Sequence, residues 1–149
     1  MSNGIKNICS FCDSQDLLPR IVYRDNLTFA FLSNIPIVPG HVLVCPVRHV
    51  TDISELLDVE LLAIKKTIIL TRKVLQKSLG AEGFNFAWNE KEMAGQSVPH
   101  LHFHIIPRKT GDSGVYEYEP RKFLYRPGSR CISPEEELLE ISDILKKGF

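Results

Sequence analysis

Gln96-Ser97-Val98-Pro99-His100-Leu101-His102-Phe103-His104-Ile105-Ile106-Pro107-Arg108 is the stretch on which the rest of the chain turns. From His100 to Ile106 polar and apolar residues alternate, which is the period of a half-buried β-strand. His100, His102 and His104 then share one face, with neighbours about 6.6 Å apart. Leu101, Phe103 and Ile105 point the other way, into a core. Pro107 closes the strand, and Ala94-Gly95-Gln96-Ser97 ahead of it reads as part of a loop over residues 90–98.

Working outward, Ile21-Val22-Tyr23 and Leu27–Leu32 read as two strands around the turn-prone Arg24-Asp25-Asn26. His41–Cys45 is a third strand, stopped by Pro46, and Gly83–Asn89 a fourth. Asp58 can cap a long helix ending near Leu79, with Gly80 as its terminator. Leu61, Ile64, Ile68, Leu75 and Leu79 form its apolar stripe. Ser133, Pro134 and Glu136 predict the N-cap, first position and capping box of a final helix. The elements give an α+β domain: a five-stranded antiparallel sheet with one long helix and a C-terminal helix. Residues 1–149 read as one domain, with 110–149 as a C-terminal extension. Its stretch 110–130 is rich in Gly, Pro and Tyr and is long for a plain connection.

The chain's 149 residues, 44% hydrophobic, suffice for one compact core. Lysine plus arginine (18) balances aspartate plus glutamate (18). That argues against nucleic acid as the main partner, which wants a basic footprint. No apolar run approaches a membrane span, and the N-terminus lacks a signal-peptide layout, so a cytoplasmic protein away from membranes is expected.

Three alternating imidazoles, in a chain with five histidines, leave three readings open: a polar outer face, a metal site made by the triad, or phosphoryl or nucleotidyl transfer through a phospho-histidine. The loop favours the third. Gly95 lets backbone N–H groups approach an anion, and Gln96 and Ser97 add side-chain donors.

The stretch from Gln96 to Arg108 resembles the signature of the histidine triad (HIT) family. Pro39-Gly40-His41-Val42-Leu43-Val44-Cys45-Pro46-Val47-Arg48-His49 is similar to the family's Pro-Gly-His strand, and Asn89-Glu90 fits as well. The resemblance implies a homodimer whose two sheets join into one, with a nucleotide pocket in each subunit. It implies that His102 attacks the α-phosphorus of a nucleotide derivative, forming a nucleotidyl-histidine that water hydrolyses. The backbone carbonyl of His100 would orient His102. His104, His41, Ser97, Gln96 and Asn89 would surround the phosphate, Asn34 would hold the ribose, and Leu32 and Leu43 would wall the base. A nucleotide-binding interaction protein with weak catalysis is the other reading. A nucleic-acid module of the aprataxin type would want an appended basic finger, which Arg121, Lys122, Arg126, Arg130 and Cys131 do not supply.

Cys9-Ser10-Phe11-Cys12 is a partial zinc signal, since two ligands must come from elsewhere. Family members with this pair resemble zinc proteins in which His49 and His100 complete the set. The resemblance thus implies one structural zinc on Cys9, Cys12, His49 and His100, and no organic cofactor. The segment Pro107–Asp112, with Asn34, is similar to the fragile-histidine-triad dinucleoside polyphosphate hydrolases. The Cys pair and His49 are like the bacterial and phosphoramidase-like members.

Overall fold

The computed structural model of the protein describes residues 9–13, 15–112 and 132–149. Cys131 and most of the Gly-, Pro- and Tyr-rich stretch lie outside them. Strands β1 (Ile21–Arg24), β2 (Thr28–Leu32), β3 (Val42–Pro46), β4 (Gly83–Ala87) and β5 (Phe103–Arg108) form one antiparallel sheet in the order β1-β2-β3-β5-β4. A helical turn α1 (Ser10–Asp13) and a 3₁₀ turn, Gln15–Arg20, precede β1; α2 (Asp58–Leu79) and α3 (Glu135–Lys146) are the long elements.

β2 and β3 are buried along their whole length because both faces of the sheet are covered. On one face Ile64, Val74 and Leu75 of α2 pack with Ala30, Leu32, Val42, Val44, Leu101, Phe103 and Ile105. A buried hydroxyl pair, Thr28 Oγ1 and Thr67 Oγ1 at 2.7 Å, satisfies the two polar groups within this seam. On the other face Leu17, Phe29, Phe31, Leu43 and Cys45 meet Phe11 and Val47.

The strand boundaries differ from the sequence reading in an instructive way. β5 begins at Phe103, not His100, and runs through Pro107. Residues before Phe103 leave the ladder: the Leu101 N–H donates to the Val50 carbonyl at 2.7 Å and the His100 N–H to the Val98 carbonyl at 2.8 Å. Pro107 is tolerated because β3 begins only at Val42, opposite Ile105, so beyond that point β5 has β4 alone as a neighbour.

α2 begins one residue off the expected cap. Leu57 occupies the cap, and Glu60 accepts its N–H at 2.9 Å. Glu60 is available there because Arg48 grips it with two hydrogen bonds of 2.8 Å. Gly80 terminates the helix in the left-handed conformation at φ +69°, as expected. Leu61, expected in the buried stripe, is 45% exposed, and Val74 is buried instead. α3 departs the other way and starts one residue late. Pro134 takes the cap with no side-chain bond, and Ser133 is used differently: its N–H donates to the Asn34 carbonyl at 2.9 Å. Leu145 of α3 is fully buried in the helix-side core, and Phe149 stacks on Tyr23 of β1 with centroids 5.5 Å apart.

Gly40 sits at φ +89°, and a Cβ there would fall 2.5 Å from Leu79 Cδ1. The Pro39-Gly40 turn therefore needs glycine, and it delivers His41 to the mouth of β3. Among the described residues no helix is long and apolar enough to cross a membrane.

Candidate active site

The three imidazoles stand on the face away from α2, and each has a different set of partners. His102 Nδ1 is 2.7 Å from the His100 carbonyl oxygen. A carbonyl can only accept, so Nδ1 carries the proton and Nε2 presents a lone pair. Burial pushes the His102 pKa below the ordinary histidine value, which keeps the ring neutral. A buried, neutral imidazole with an oriented lone pair is a competent nucleophile.

His104 is oriented by a relay. The Ile37 N–H donates to His41 Nδ1 at 3.1 Å, so in a neutral His41 the proton lies on Nε2. Nε2 is 2.9 Å from His104 Nδ1 and donates to it, which leaves the His104 proton on its own Nε2. The His102 and His104 rings lie 5.0 Å apart. A lone pair and an N–H donor thus stand side by side.

His100 turns the other way. Its Nε2 donates to the Pro46 carbonyl at 2.9 Å, so its Nδ1 is the lone-pair nitrogen. That nitrogen lies 3.5 Å from Cys9 Sγ and 3.4 Å from Cys12 Sγ, while His49 Nδ1 is 3.5 Å from Cys12 Sγ. All four ligand atoms lie within 4.8 Å of one another. Tetrahedral zinc with the usual bond lengths spaces nitrogen and sulfur ligands about 3.5 Å apart. The cluster can therefore hold a metal ion, and the Pro46 carbonyl is the outer partner that fixes the ring. Burial and the neighbouring Cys9 raise the Cys12 thiol to about 11, so a bound cation is what would draw off its proton. His49 reaches the cluster because Arg48, beside it in the chain, is anchored on Glu60 at the start of α2.

A cleft of about 290 Å³ opens beside His102 and His104, lined also by Phe11, Phe31, Asn34, Leu43 and Ser97. Asn34, Leu43 and Ser97 are residues that the resemblance assigned to a nucleotide site. Four other expected contacts are not on its wall. Leu32 faces the helix-side core, and its neighbour Phe31 takes the cleft side, because successive strand residues alternate. His41 is fully buried behind His104. Asn89 is half-buried beyond the end of β4. Gln96 serves as a staple: its Oε1 accepts the Lys91 N–H and its Nε2 donates to the Thr51 carbonyl, both at 2.9 Å. That staple ties the loop carrying Ser97 to the chain near the cysteine–histidine cluster, and Lys91 there adopts φ +71°.

The sequence reading missed Phe11, Phe31, Arg20 and Asp16 on the cleft. The pairing of Phe31 with Leu43 was open to discovery from strand alternation. Phe11 was not, since its place follows from the fold of the cysteine turn against the sheet. Its ring lies 5.2 Å from His102 and 5.0 Å from Phe31.

Comparison with known proteins agrees with this geometry. The HIT domain family model matches residues 17–111. An uncharacterized HIT-like protein of Methanocaldococcus jannaschii is 40% identical over 113 residues, which is 74% of this chain and 87% of that protein. A bis(5'-adenosyl)-triphosphatase of Dictyostelium discoideum is 37% identical over 112 residues, covering 69% of this chain and 75% of that one. A solved zinc-bound histidine triad family protein from Mycobacterium smegmatis superposes with a TM-score of 0.68 at 25% identity, over 86% of this chain and 81% of that chain. With its alternating histidines, its five-stranded sheet and a match to the family model over most of its length, the chain belongs to the HIT domain family.

Proposed function

We propose that the protein hydrolyses nucleotide derivatives at the α-phosphate, with dinucleoside polyphosphates or nucleoside phosphoramidates as substrates and His102 as nucleophile. The observation that carries this reading is the 2.7 Å bond from His102 Nδ1 to the His100 carbonyl, which frees Nε2 beside the cleft.

On a dinucleoside polyphosphate, His102 Nε2 forms a bond to the α-phosphorus as the bridging P–O bond breaks. The nucleotide leaves as an anion and needs no proton. The His104 Nε2–H and the Ser97 side chain donate to the oxygens on which charge builds. The positive charge that the ring gains is stabilised by the His100 carbonyl through Nδ1–H. A water molecule then attacks phosphorus, the P–N bond breaks, its electron pair returns to Nε2, and the water's proton passes to solvent.

His102→Ala should lower hydrolysis of diadenosine polyphosphates and of adenosine phosphoramidate by about a thousandfold or more while the melting temperature stays near that of the parent. Activity surviving at the parent rate would refute the assignment. Nucleotide binding without measurable turnover in the unaltered protein would favour the binding-protein reading. The ratio of the two rates assigns the branch.

Two assignments accompany this reading. Cys9, Cys12, His49 and His100 hold zinc, which supplies a cross-link between the N-terminal turn and the histidine segment. Metal analysis of protein purified without added zinc should find one equivalent per chain, and Cys12→Ser should lose it; a folded, active, metal-free preparation would count against the site. The protein forms a homodimer. Phe86 and Trp88, about half exposed at the β4 edge, and Leu61 and Ile69 of α2 support this, for they line one apolar hollow.

A further inference from the structure

The cleft has a rigid floor and one wall of a different kind. Leu43 lies opposite His104 on one side and Phe31 on the other, so Leu43 and Phe31 floor the slot beside the reacting histidines. At the far end Arg20 Nη1 donates to the Leu32 carbonyl at 2.6 Å, and its guanidinium lies 5.6 Å from the Phe31 centroid. The ladder between β2 and β3 holds this floor. Phe11 stands over it from outside the sheet, with its ring 5.0 Å from Phe31 and 5.2 Å from His102.

Phe11 rides on α1, whose main chain closes on itself: the Cys12 and Asp13 N–H groups both donate to the Cys9 carbonyl at 3.0 Å. A single helical turn is unfavourable on its own, because it fixes several dihedrals for few hydrogen bonds. α1 buries none of its residues. Besides the Phe11 ring, its links to the sheet among the described residues are the sulfurs of Cys9 and Cys12, 3.4 or 3.5 Å from ring nitrogens of His100 and His49. Those histidines stand on firm ground. His100 Nε2 donates to the Pro46 carbonyl, and His49 follows Arg48, which is bound to Glu60 of α2. A thiol facing an imidazole is a weak contact. A metal ion bonded to all four side chains turns it into a cross-link.

We propose that metal binding by Cys9, Cys12, His49 and His100 and nucleotide binding in the cleft are coupled through Phe11. With the metal bound, α1 is pinned and Phe11 is a preformed wall. Without it, a nucleotide must itself order the turn and so binds more weakly. Linkage makes the effect reciprocal: the nucleotide tightens metal binding by the same factor. The nucleophile stands outside this coupling, because a main-chain carbonyl orients His102. The inference rests on the zinc and nucleotide readings above but not on turnover.

The test is therefore a pair of binding measurements. Titration calorimetry of the full chain with AMP should show about tenfold tighter binding to zinc-loaded protein than to protein stripped by a chelator. In a chelator competition, saturating AMP should raise the zinc affinity by the same factor. Cys12→Ser should bind AMP as the stripped protein does, whether or not zinc is added. Phe11→Ala should still bind zinc but bind AMP weakly and show no coupling, and Phe11→Leu should restore part of it. Circular dichroism of the stripped protein should match that of the loaded one. AMP binding that ignores zinc, or a coupling that survives in Phe11→Ala, overturns the inference. So does unfolding on stripping, which makes the metal a support for the whole domain. Failure to bind zinc overturns it together with the metal assignment, and failure to bind AMP in either form overturns it together with the nucleotide cleft. Coupling without hydrolysis sustains it and overturns only the hydrolase.

Discussion

Along residues 100–105 the side chains enter two environments in strict alternation. Leu101 and Ile105 are fully buried, and Phe103 nearly so, in the core with α2, among apolar neighbours of similar character. His100, His102 and His104 are buried or half-buried on the opposite face, yet no two of them share a partner set. One face is specified by volume and the other by where protons sit. The first tolerates changes in identity that keep the packing. The second depends on single donors and acceptors set by distant parts of the chain.

The largest effect that would sharpen this contrast lies on the histidine face, behind His104. His41→Phe keeps a ring of similar size but removes the proton relay, so kcat on a diadenosine polyphosphate should fall about ten- to a hundredfold with KM little changed. A rate equal to the parent's would mean that His104 orients itself. On the apolar face the effect should move from rate to stability. Leu101→Ala, at a fully buried position, should cost about 3 kcal/mol in denaturant unfolding. It should leave hydrolysis by the folded fraction near the parent rate, and a selective loss of activity without loss of stability would break the distinction. The smallest effect concerns the Arg48–Glu60 pair, which braces the cysteine–histidine side of the histidine face from α2. Arg48 holds Glu60 below the ordinary glutamate pKa, with the Leu57 N–H adding to the effect. The folded state therefore prefers the ionised form. This contribution is fully present above the unfolded value of about 4.3 and is lost as pH falls through the depressed folded value. Arg48 is half-exposed, so Glu60→Gln should cost at most about 1 kcal/mol near neutral pH and flatten the acid limb of the stability curve. An acid limb of the same slope in the variant would assign it to other carboxylates.

The sheet was legible in the sequence because strand alternation and helix periodicity act over short range. All five strands, the long helix and its Gly80 stop follow from local pattern. Boundaries were less legible where a distant partner sets them, as when Val50 draws Leu101 out of the ladder or Arg48 turns Glu60 into the cap of α2. The same division runs through the site. His102, His104, Ser97, Asn34 and Leu43 sit on the cleft, and Cys9, Cys12, His49 and His100 gather, as the motifs suggested. The tethering of Gln96 was not legible, because its two backbone partners lie five and forty-five residues away. Asp16 and Arg20 carried no signal at all, since nothing local says that the turn before β1 faces the far end of the cleft.

His100 joins two tasks in one residue but through different atoms. The imidazole faces the cysteines, while the carbonyl holds His102. A carbonyl belongs to the main chain and is present whatever side chain follows. In a lineage of such proteins the imidazole at this position is therefore free to be gained or lost without removing the bond that sets the His102 tautomer. The two properties are linked in space but not in inheritance.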